Sequence, residues 1–250
     1  MKIQAKKITT VLCVTAFALL VQQANAAIAL DRTRIIFDGS KDSMSVTISN
    51  QNKTLPYLAQ SWIENAEGKK IESPMMALPP LQRVEAEAKG QVKIQTRSDT
   101  ASLPQDRESL FYFNTREIPP KSSKPNTLQL ALQTRVKMFY RPAALALGQG
   151  AENEPAKKIT LTRQGDSYQI TNPTPYFITI VGASTAEKGK DVAGFKSVMV
   201  SPKSNISLGG SASSLGAKPV LTFINDFGGR PKLIFKCSGS TCSVESVKAG

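Results

Sequence analysis

Without a histidine anywhere, this chain cannot build a Ser-His-Asp triad, a Cys-His dyad or an H-E-x-x-H zinc site. It also lacks a P-loop, a G-x-G-x-x-G turn and an S-x-x-K nucleophile motif. Paired carboxylates such as Asp106 and Glu108 could serve a glycosidase, but acids spaced this way occur in every protein. No enzyme, cofactor or metal site is expected. The remaining chemistry is of another kind: two late cysteines, a surplus of cations, and a row of alternating leucines.

The first residues read as a secretory signal. Lys2, Lys6 and Lys7 form a positive front, Ile8 to Val21 an apolar core, and Ala24-Asn25-Ala26 a small-x-small cleavage site. The apolar run is shorter than the roughly 20 residues of a membrane span. A soluble, exported protein beginning at Ala27 is expected, 224 of the 250 residues long. Cys13 leaves with the signal, and Cys237 and Cys242 remain. In an oxidising compartment they read as a disulfide closing the small loop Ser-Gly-Ser-Thr. A metal pair is a poor rival, because no histidine or further cysteine completes a site. Their spacing also excludes a reactive C-x-x-C.

Losing Lys2, Lys6 and Lys7 with the signal brings the formal charge from +13 down to +10. Nucleic acid is the usual suspect for such a surplus. Here the basic residues are scattered, and an exported protein seldom meets DNA, so nucleic acid is not the expected partner. Partner proteins or an anionic membrane fit the charge equally well.

These residues must be positioned by strands. Glycine, proline and short alternating apolar runs favour an all-β chain. Strands are predicted at 28–37, 43–50, 57–64 (with the only tryptophan, Trp62), 75–78, 91–96, 109–114 and 128–141. Seven short strands in about 115 residues are the signature of an immunoglobulin-like sandwich. Further strands are predicted at 158–162, 167–171, 177–183, 198–201, 205–208, 219–225 and 232–237, with a loose Ser/Gly-rich loop at 211–217. The expected division is a signal at 1–26, one domain at 27–145, a linker at 146–156 and a second domain at 157–250.

The strand at 128–141 is the most informative. Leu128, Leu130 and Leu132 alternate strictly with polar Gln129 and Gln133, after a hydrophilic loop holding Pro119, Pro120 and Pro125. From pattern alone, an ordinary core strand is the commoner reading. A strand lent to another chain's sheet is the alternative.

The run DRESLFYFN-x-REIPP, then LQ-x-ALQT and FYRPAA, resembles the periplasmic pilus chaperones of the PapD type. So do LDRTR at 30–34, SNQNKTLPYLAQSWIEN at 49–65, NPTPY at 172–176, INDFGGRP at 224–231 and the closing Cys237–Cys242 pair. The resemblance covers essentially all of the chain after residue 26. It implies two immunoglobulin-like β-sandwich domains set at an angle around a cleft, in the periplasm of a Gram-negative bacterium. It implies that Leu128, Leu130 and Leu132 complete a pilus subunit (a pilin or adhesin), which is then delivered to an outer-membrane usher. Arg34 and Lys137 match the cations that bind the subunit's C-terminal carboxylate. Glu108, Asp226 and Lys93 match an interdomain charge network, with lysine at 93 where arginine is usual and where it cannot form a bidentate fork. The rival from another class is a structural pilin or adhesin. Such a subunit would carry a free donor extension and lack a strand, whereas this chain enters a strand at once. Whether the unbound protein covers its basic cleft by self-association is left open by the sequence.

Overall fold

A computed structural model describes residues 26–250. The expected signal lies, but for Ala26, outside the described residues. Ten strands form the first half: β1 (Ile28–Leu30), β2 (Arg34–Asp38), β3 (Ser43–Asn50), β4 (Tyr57–Glu64), β5 (Lys70–Ile71), β6 (Met75–Leu78), β7 (Leu81–Val84), β8 (Lys89–Thr96), β9 (Ser109–Ile118) and β10 (Gln133–Arg141). One sheet runs β1-β3-β8-β6, and the other β2-β10-β9-β4-β5 with β7 on β4. Period-two alternation places Val46 and Ile48, Val92 and Ile94, Phe111 and Phe113, and Val136 and Met138 in the core between the sheets. This is the immunoglobulin-like sandwich that the strand count predicted.

The single strand expected at 28–37 is in fact two. β1 pairs antiparallel with β3 in one sheet, and β2 pairs parallel with β10 in the other. The chain changes sheets at Asp31–Thr33, which sequence alternation alone does not reveal. Gly39, just beyond β2, donates its N–H to the Arg141 carbonyl at 2.7 Å. A Cβ there would also lie 2.7 Å from that oxygen, so the close approach requires glycine.

The second half holds β11 (Thr160–Gln164), β12 (Ser167–Asn172), β13 (Ile178–Ser184), β14 (Val198–Val200), β15 (Ser204–Leu208), β16 (Val220–Ile224), β17 (Lys232–Ser238) and β18 (Thr241–Lys248). They form one continuous sheet, β14-β13-β16-β17-β18-β11-β12-β15, wrapped around a separate core that includes Phe223 and Phe235. The loop expected at 211–217 instead contains a one-turn helix, α1 (Ala212–Leu215). Ser211 caps it by accepting the Ser214 N–H, and Ala212 and Leu215 are buried. Cys237 and Cys242 face each other across the β17–β18 hairpin and are joined by a disulfide. Among the described residues no helix is long and apolar enough to cross a membrane.

Candidate functional site

Strand β10 carries the site on two faces. Its even residues, Val136, Met138 and Tyr140, point into the first core. Its odd residues, Lys137, Phe139 and Arg141, point the other way, toward the second domain.

The core-facing row continues backward as Leu132, Leu130 and Leu128, but the sheet does not. Pairing was expected from Leu128; the ladder with β9 begins at Gln133, opposite Arg116. Extrapolated, Leu130 would face Pro119 and Gln129 would face Pro120, and a proline has no N–H to donate. Leu128, Leu130 and Leu132 are 83%, 67% and 40% exposed, and before Leu132, whose carbonyl still accepts the Glu117 N–H at 3.0 Å, the segment has no backbone partner on β9 among the described residues. A row of apolar side chains this open is far from an ordinary core strand.

On the odd face, Lys137 and Arg34 are direct partners in the parallel β10–β2 ladder. Arg34 is 8% exposed; its Nη1 donates to the Ile224 carbonyl at 3.0 Å, and among the described residues its Nε has no partner. Burial pulls the Arg34 guanidinium below its usual range, with Asp226 and Glu108 opposing. Lys137, half-buried, is likewise pushed down, first by burial and then by Arg34 beside it. Among the described residues neither cation has a salt-bridge partner. A cleft of ≈ 360 Å³ opens at Arg34, between Asp31–Arg34 and Ile36 on one side and Asp226 and Phe227 on the other. Two adjacent, partly dehydrated cations with spare donors are suited to a carboxylate.

Four residues along, Arg141 is fully engaged. Its Nε donates to Glu108 Oε1 at 2.8 Å, and its Nη1 and Nη2 clasp Asp226 at 2.7 and 3.0 Å. The other oxygen of Glu108 accepts the Phe177 N–H at 2.8 Å, and the Glu108 N–H donates to the Pro175 carbonyl. Phe139 packs on Phe177 with ring centroids 5.4 Å apart. At the rim, Lys203 pairs with Asp106 at 2.6 Å. These contacts tie the two domains together behind the cleft. The turn at 226–229 also needs glycine: Gly228 has φ +84°, and a Cβ there would come within 2.5 Å of Thr33 Oγ1.

Glu108 and Asp226 thus meet in one network, but Lys93 does not join it. Val92 and Ile94 occupy the core face of β8, so Lys93 between them points to solvent, in the other sheet, opposite Ser45 and Leu78. Arg141 holds the position that the sequence reading gave to Lys93. A signal was present, since Arg141, in the FYRP block, shares the strand parity of Lys137 four residues before it.

Fold and cleft together define a two-domain β-sandwich binding protein. Residues 27–146 match the N-terminal domain of PapD, the pili and flagellar-assembly chaperone, and residues 154–235 match the PapD C-terminal domain of pili assembly chaperones. The chain belongs to this family of pilus-assembly chaperones. It is 50% identical to the chaperone protein PapD of Escherichia coli over 92% of this chain and 94% of that one. It is 49% identical to the probable fimbrial chaperone YfcS of Escherichia coli strain K12, over 90% of this chain and 89% of that one. Among solved structures, a Salmonella enterica complex of the SafA pilin with the SafB chaperone matches with a TM-score of 0.68 and 26% identity, covering 84% of this chain and 95% of that one. The family consists of folding and assembly factors, in keeping with the expectation that the chain is not an enzyme.

Proposed function

We propose that this chaperone works in the periplasm after losing residues 1–26, and that 146–156 links its two domains. It lends Leu128, Leu130 and Leu132 to a pilus subunit that lacks a strand. It holds that subunit's C-terminal carboxylate on Arg34 and Lys137, and it surrenders the subunit at an outer-membrane usher. The carrying observation is the leucine row, which continues the core-facing side of β10 past the last residue of the ladder and which no described residue covers. Donated backbone groups supply affinity in such an arrangement, and alternate side chains fill pockets. Lys137, on the opposite face of the same strand five residues from Leu132, and Arg34 beside it on β2 then fix where the subunit's strand ends.

Leu130→Glu tests this reading. A charge placed in an apolar groove without a partner is very costly. Capture of a pilus subunit in a pull-down is expected to collapse, while circular dichroism and the melting temperature of the free chaperone stay as in the wild type. An unfolded Leu130→Glu protein would make the leucines ordinary core and end the donor reading.

A further inference from the structure

Glu117 is a buried carboxylate that the subunit-binding surface does not use. It lies near the end of β9 on the core-facing side and is 6% exposed. Its Oε2 accepts the Ile28 N–H at 3.0 Å, and its Oε1 accepts the Leu132 N–H at 3.3 Å. Its own backbone N–H donates to the Leu132 carbonyl at 3.0 Å. One residue therefore holds both backbone groups of Leu132, the root of the exposed row. Carboxylates this deep are ordinarily paired with a cation. Among the described residues no lysine or arginine forms an ion pair with Glu117. Two neutral N–H donors leave its charge uncompensated. A cavity of ≈ 270 Å³ beside it is lined by Ala26, Ala27, Gln51, Asn52, Tyr57 and Glu117. None of the other five side chains is charged at neutral pH.

Cleavage after Ala26 would supply the missing charge. Hydrolysis of the Ala26–Ala27 bond consumes one water, leaves a carboxylate on the departing Ala26, and leaves an ammonium on Ala27. That nitrogen stands one residue before Ile28, whose own nitrogen already touches Glu117. Successive backbone nitrogens lie within about 3.7 Å of each other. Ala27 is also held in place, because its carbonyl accepts the Gln51 N–H at 2.7 Å. We infer that the new α-ammonium is the counterion of Glu117, so that signal removal completes a buried ion pair and fixes the root of the leucine row. The inference rests on processing after Ala26 and on the proposed role of that row.

The test uses three forms of the full processed chain: native, N-acetylated at Ala27, and retaining Ala26, which moves the ammonium one residue away. Hydrogen exchange is read on the free protein, so the outcome does not depend on whether the leucine row captures a subunit. Exchange at the Leu132 and Ile28 amides is expected to be about ten-fold faster in both altered forms, with a melting temperature about 2–4 °C lower. In Glu117→Gln, acetylation is expected to change neither quantity. Equal exchange in native and acetylated protein would overturn the inference, as would an acetylation effect of the same size in Glu117→Gln. Should that variant not fold, the native protein decides alone. Its α-amine is expected to react with an acetylating reagent about ten-fold more slowly than the same sequence as a free peptide, and an equal rate would also overturn the inference.

Discussion

Lys137 and Arg141 stand four residues apart on β10 and face the same side, yet they are treated oppositely. Burial works against both cations. At Arg141, Asp226 and Glu108 outweigh it, and the guanidinium is held above its usual range. At Lys137 nothing offsets burial, and the neighbouring Arg34 adds repulsion, so the ammonium is pushed down. A protein gains nothing for its own fold by dehydrating two adjacent like charges. The paired cation is therefore architecture, joining the domains. The unpaired two are a surface whose balancing charge comes from a partner, under the function proposed above.

The largest expected effect comes from breaking the paired side. Arg141→Ala leaves Glu108 buried without its cation, and urea unfolding is expected to show a loss of about 3–5 kcal/mol. Burial already raises the Glu108 carboxyl, chiefly against the pull of Arg141. Without Arg141 it rises further, so the native state takes up a proton at a higher pH than the unfolded chain. The variant's deficit is expected to shrink as pH falls toward the usual carboxylate range; a deficit that grows on acidification would contradict this role for Arg141.

On the unpaired side the expectation reverses. Lys137→Met removes no hydrogen bond among the described residues, so stability should hold or rise slightly. Subunit affinity, measured by titration calorimetry, should fall ten- to hundred-fold, the worth of a charged hydrogen bond of about 1.5–3 kcal/mol. In the wild type, a bound carboxylate favours the protonated amine. Affinity should therefore weaken as pH rises through the lowered pKa of the free protein's Lys137, and Lys137→Met should lose that dependence. Undiminished binding of a C-terminally amidated subunit would refute the anchor. Arg34→Ala is less clean, because it also removes the donor to the Ile224 carbonyl.

The smallest effect concerns the rim pair. Lys203 first, then Arg107, hold the exposed Asp106 carboxyl at about 2, against 3.8 unperturbed. Its contribution is present above 3.8 and lost as pH falls through about 2. An NMR titration of Lys203→Met should show Asp106 moving back toward 3.8, with subunit binding unchanged.

Alternation in the sequence made most strands legible, because one buried and one wet face per strand is a local property. It did not show the change of sheet at Asp31–Thr33, which is a tertiary choice. Nor did it show that the 128–141 run divides into paired and unpaired parts, for the prolines that end the ladder lie just past the end of the other strand. The last strand, Thr241–Lys248, was not foreseen: its residues are mostly polar or half-buried, and Cys242 alone is fully inside. The pairing of Arg34 with Lys137 spans 103 positions of sequence and came only from family resemblance. Resemblance also misplaced the third member of the interdomain network, where strand parity would have pointed to Arg141.

The fixed distance between cation pair and leucine row has one more consequence. At about 3.3 Å per residue, Leu128 lies roughly 30 Å of extended chain from Lys137. With a carboxylate seated at Lys137, the cleft becomes the zero mark of a ruler, and a bound strand is read by counting back from its last residue. Adding one residue to that end would turn every side chain to the opposite face. Adding two would restore the faces but shift each side chain past its leucine by one place. Length at the chain end would thus be selected as strictly as composition.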